Sequence, residues 1–146
     1  MVRSILAIIA GFVCAFGTII ATDFSLLAVL PKTFAEGGPG TAVLVALLGA
    51  YAVGSALGGY VAAFVAGRSE IKHSLTLGLV FLALGLASVV CFKLMPQPPP
   101  GSEAATEMQP PPLWFGVATL VQVVPVTVLG GCLRVWQKLC RPGHSA

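Results

Sequence analysis

Four long apolar runs, parted by short polar breaks, set the pattern of this chain. The first extends from Ile5 to Ala21, is interrupted at Asp23, and resumes through Leu30 before Pro31 and Lys32. The others cover residues 41–66, 74–92 and 113–133. A helix needs about 20 apolar residues to cross a bilayer core, and each of the four runs is about that long or longer. They predict an all-α fold: a single transmembrane domain, a four-span helix bundle with spans near 4–30, 41–66, 74–92 and 113–133.

The breaks carry the chemistry of loops. Glu36, Gly37, Gly38, Pro39 and Gly40 cluster in the first. The second, residues 67–73, is a tight polar hairpin holding Arg68, Glu70, Lys72 and His73. The third, residues 93–112, contains Pro96, Pro98, Pro99, Pro100, Gly101, Pro110, Pro111 and Pro112. Such a stretch buries no core and is expected to be an extended, mobile outer loop. Residues 134–146 form a short basic tail. Pro125 lies inside the fourth run and predicts a kink that frees a backbone carbonyl for a neighbouring group.

Composition sharpens the class. Of 146 residues, 57% are hydrophobic and 9% charged, against roughly 25% charged in soluble domains. The net charge of +3 does not point to nucleic acid, because no basic patch is interleaved with exposed aromatics. The basic residues instead suit a topology. Arg3, Arg68, Lys72, Arg134, Lys138 and Arg141 fall on one side of four spans, and Lys32 and Lys93 on the other. The positive-inside rule then places both termini in the cytoplasm, with Trp114 and Trp136 at opposite interfaces of span four. The first run is long for a signal peptide, and no small-x-small cleavage pair follows, so it is expected to stay as an anchor.

Small residues recur every fourth position in span two, at Ala50, Gly54, Gly58, Ala62 and Ala66. On a helix they form one smooth stripe. In lipid, close approach along such stripes replaces the missing hydrophobic drive for association. Ala7, Gly11 and Ala15 repeat the spacing in span one and offer it as a partner. The length of the span-two stripe leaves room for a second contact, with another copy or a partner.

Few residues offer chemistry. Asp23 is the acidic residue within or beside a span. An ionisable group in lipid costs a few kcal/mol and is a natural proton- or cation-coupling group; an interfacial position beside Thr22 is the plainer reading. Gln122 and Pro125, with Thr119 and Thr127, either line a polar seam or bond between helices around the kink. Tyr51 and Tyr60 suit packing better than ligand binding. His73 and His144 lack a second ligand at useful spacing, and Cys14, Cys91, Cys132 and Cys140 form no metal-ligand spacing. No catalytic, metal or cofactor motif stands out, and no enzyme activity is expected.

Three stretches carry a resemblance: residues 3–12 (RSILAIIAGF), residues 57–68 (LGGYVAAFVAGR) with residues 73–78 (HSLTLG), and residues 112–115 (PLWF). Together they resemble small four-helix bacterial membrane proteins without an assigned function. The resemblance implies a bacterial inner (plasma) membrane location and a four-span bundle, and no activity. In such proteins an acid late in span one is often followed by His; here Asp23 stands without one. Two other patterns fail. A major facilitator loop would need an acid where Ala63 stands. A small multidrug exporter would need a Glu in mid-span one, where residues 10–14 read AGFVC.

The expected function is that of a structural or accessory membrane subunit acting through helix–helix packing. Its partners would be membrane lipids and either its own copies or another membrane protein, with no nucleic acid. The alternative is a small transporter or permeation protein, its substrate unknown, with Asp23 as the coupling group.

Overall fold

A computed structural model describes residues 2–29, 40–67, 69–94 and 112–140. The expected loops at 30–39 and 95–111, Arg68, and the tail beyond 140 with Arg141 and His144 lie outside the described residues. The described chain forms four helices: α1 (Val2–Val29), α2 (Thr41–Ala66), α3 (Glu70–Leu94) and α4 (Leu113–Leu139). At 1.5 Å per residue, the 25 to 28 residues of each helix reach about 37–42 Å. That exceeds the ~30 Å apolar thickness of a bilayer. All four are long and apolar enough to cross a membrane. Helices are the form such runs must take in lipid, because every backbone polar group is then satisfied within its own segment.

The helix ends have local causes. α2 stops at Gly67, whose φ of 68° is left-handed and whose N–H donates to the Ala63 carbonyl at 3.3 Å. Glycine takes this backbone without a Cβ clash. Ser69 then adopts a φ of 55°, and its carbonyl accepts the Lys72 and His73 N–H groups that open α3. Two left-handed residues thus reverse the chain between α2 and α3. α4 starts after Pro112, whose carbonyl accepts the Phe115 N–H at 2.9 Å.

Polarity is distributed as lipid requires. The buried positions of α1 are Ala7, Gly11 and Ala15. Those of α2 include Gly54, Ser55, Gly58, Gly59, Ala62, Ala63 and Ala66. Among the described residues, the largest fully buried side chains are Leu77, Thr127 and Ser74. Large apolar residues such as Ile5, Ile9, Val13, Phe24, Leu84, Val121 and Leu129 are exposed instead. A soluble domain would bury these and would not display so broad an apolar surface. Small residues inside and large ones outside is how helices pack in a bilayer. A conventional apolar cluster exists at one end, where Leu44, Leu47 and Phe115 are buried against Leu26, Val43, Leu48 and Tyr51.

α2 is the hub. It packs against α1, α3 and α4, whereas α1 and α4 do not meet among the described residues. α3 packs on α4 and α2 and touches α1 lightly, partly through stacked Phe12 and Phe81 rings 5.4 Å apart.

Candidate functional site

The α1–α2 seam is built from the small residues of both helices. A Cβ placed at Gly58 would lie 2.7 Å from the Ala15 Cβ and 2.7 Å from the Gly11 carbonyl oxygen. A Cβ at Gly11 would meet the Gly58 carbonyl, Ala62 and Leu77, all within 2.8 Å. Gly54 faces Ile19, Ala15 and Thr18. Ala62 is fully buried, Ala66 nearly so, and Ala50 is partly exposed. The small-residue line of α2 is therefore occupied from within the chain by α1.

A second seam, which the single stripe at Ala50 to Ala66 does not predict, lies on the neighbouring face of α2. Gly59 abuts the Thr127 backbone of α4, and Gly130 abuts the Ala56 carbonyl and the Tyr60 nitrogen. Gly131 and Gly78 add contacts to Ser74 and to Val124 and Thr127. Ser74 is fully buried where α2, α3 and α4 converge. Its hydroxyl donates to the Gly59 carbonyl at 2.9 Å and shares its own helix's Glu70 carbonyl at 3.3 Å. The signal was present: Ser55, Gly59 and Ala63 are also four apart, and Gly130 and Gly131 are adjacent in span four.

The polar candidates gather near the apolar-cluster end, in two separate bonds. The Tyr51 hydroxyl donates to the Asp23 carboxylate, 3.2 Å from Oδ1 and 3.4 Å from Oδ2. The Tyr51 ring also tilts against Phe115. Gln122 donates Nε2 to the Leu48 carbonyl at 3.1 Å, joining α4 to α2. Asp23 and Gln122 thus attach to α2 one turn apart, each with its own partner. Pro125 is exposed on the far side of α4 and is not brought to Asp23. Thr119 and Thr127 bond back to carbonyls of their own helix.

The opposite end is basic. Lys138 pairs with Glu70 and also donates to the Gly67 carbonyl, fastening the end of α4 to the α2–α3 turn. Arg3 Nε donates to the Val65 carbonyl at 3.0 Å and serves the C-terminus of α2, where a cation also meets the negative end of the helix dipole. Tyr60 donates to Gln137 Oε1 at 2.8 Å. The Arg134 guanidinium carbon sits 4.6 Å from the Phe64 ring centroid. His73 Nδ1 lies 3.0 Å from the Ser69 carbonyl.

All four cysteines are free. Among the described residues, no group of three His, Cys, Asp or Glu side chains is placed to hold a metal ion. No protein-family model matches the chain, and neither curated proteins nor solved structures provide a significant match.

Proposed function

We propose that this chain is a non-enzymatic, multi-pass protein of a bacterial inner membrane, with both termini in the cytoplasm, acting as a structural or accessory subunit through helix packing. The two-faced character of α1 carries the reading. One small-residue face, Ala7, Gly11 and Ala15, is buried on α2. The other leaves a shallow, uncovered groove of about 580 Å³ lined by Val13, Cys14, Gly17, Thr18, Ala21, Thr22 and Ser25. A Cβ at Gly17 would meet nothing within 4 Å. The hydroxyls of Thr18, Thr22 and Ser25 bond to their own helix, which leaves a smooth surface of the kind another helix packs on. The span-two stripe cannot serve this role while α1 covers it.

The polar groups support the same reading. Asp23, Gln122 and Ser74 each bond to another helix, so they fasten the bundle where a permeation path would present them to a substrate. Native mass spectrometry after gentle extraction from the host membrane tests the proposal. A discrete oligomer, or a stable complex with another membrane protein, supports it. A monomer that retains a small molecule or ion, with a liposome flux abolished by Asp23→Asn, would replace it by the transport reading.

A further inference from the structure

The two seams leave one sector of α2 bare. Val53, Leu57 and Phe64 lie on it and are 57%, 44% and 56% exposed. On one side are the α1 contacts at Gly54 and Gly58; on the other are the α4 contacts at Ala56, Gly59 and Tyr60. Since α1 and α4 do not meet among the described residues, this sector is the floor of a lipid-facing groove with α1 and α4 as walls.

At the basic end the groove runs into unbalanced charge. Arg134, from the α4 wall, lies over the Phe64 ring on the floor. Its Nε is buried and has no hydrogen-bond partner among the described residues. Arg3, from the α1 wall, reaches the Val65 carbonyl and lies against Gly67. The described charges at this end are Arg3, Lys72, Arg134 and Lys138 against the carboxylate of Glu70. That carboxylate is bonded to Lys138, so no described carboxylate is left for Arg134. The rest of the guanidinium likewise makes no hydrogen bond or ion pair among the described residues, so an anion from outside these helices would be received on its Nη groups.

We infer that this groove binds an anionic glycerophospholipid, its phosphodiester on Arg134 and an acyl chain along Phe64, Leu57 and Val53. The planar guanidinium matches phosphate oxygens in a fork, and stacking on an aromatic ring holds its plane. Arg3 supplies a second positive charge at the same end. A zwitterionic headgroup fits less well, because its ammonium would enter a net positive site.

The test is native mass spectrometry of the full chain in micelles doped with phosphatidylglycerol or with phosphatidylcholine of the same acyl chains. Phosphatidylglycerol is expected to be retained about tenfold more strongly, and Arg134→Gln to remove most of that preference. Lys72→Gln, on a helix that does not wall the groove, is expected to leave it intact. Phe64→Leu keeps the charge, changes a lipid-exposed position, and is expected to weaken retention even if Arg134→Gln fails to fold. Equal retention of the two lipids by the parent protein would overturn the inference. So would unchanged retention in both groove variants, an equal loss in Lys72→Gln (diffuse attraction), or displacement of the lipid by millimolar inorganic phosphate (a free-phosphate site).

Discussion

Replacing Gly58 by Ala adds one methyl group at one of the two tightest points of the α1–α2 seam, the other being Gly11. The new Cβ would lie 2.7 Å from both the Ala15 Cβ and the Gly11 carbonyl, where ordinary carbon contacts need about 3.5–4.0 Å. Neither neighbour is the far end of a flexible side chain, so the helices must part by about 1 Å. A gap of 0.5–1 Å forfeits about a quarter to a half of each dispersion contact. If the seam comprises roughly 40 atom pairs at about 0.15 kcal/mol each, the loss is about 1.5–3 kcal/mol. Gly49→Ala, on the same helix, is the matched control: same helix-propensity gain, no atom within 4 Å of the new methyl. Propensity cancels between the two, so the packing loss should appear as the difference in stability. Unfolding in mixed micelles of increasing dodecyl sulfate fraction, followed by fluorescence of Trp114 and Trp136, measures it. Equal midpoints for Gly58→Ala and Gly49→Ala would refute the close-packed seam.

Other changes have smaller expected effects. Ser74→Ala removes a cross-helix bond to the Gly59 carbonyl and should cost about 0.6 kcal/mol, the average for such bonds in membranes, in the same unfolding assay. Ser69→Gly relieves a left-handed backbone at a non-glycine residue; the steric gain of about 1–2 kcal/mol, less glycine's entropy of about 0.5–1, predicts a slightly raised midpoint. Glu70→Gln breaks the pair between buried Glu70, 7% exposed, and Lys138, 46% exposed, so the charge left behind is the solvated one. The cost should be about 1 kcal/mol or less and should shrink as salt is raised through the screening range.

The four helices were legible because lipid imposes a simple rule: long uncharged runs must be helical. Their ends were less so, since polar residues such as Glu70, Gln137 and Lys138 continue a helix past its apolar stretch when the last turns bond to one another. The pairing of faces was harder still. Gly and Ala recur on two adjacent faces of α2, and residue identity alone does not show which line meets α1 and which meets α4. Asp23 was conspicuous as an isolated charge, but its partner Tyr51 lies 28 positions away on another helix. Arg134 read as one topological charge among several, because its stacking on Phe64 depends on how far α4 overlaps α2. Pro125 predicts a kink, but nothing local to it reveals that it faces outward.

The most direct test of the account is a disulfide between Thr18→Cys and Gly54→Cys in a background without native cysteines. A Cβ at Gly54 lies 3.6 Å from that of Thr18, inside the window of about 3.5–4.5 Å for a disulfide. Mild oxidation in the membrane is predicted to link the pair within one chain: a monomer on a non-reducing gel, with peptides of α1 and α2 joined after digestion. A cross-linked dimer, or no cross-link, would contradict the claim that α1 occupies the small-residue stripe of α2.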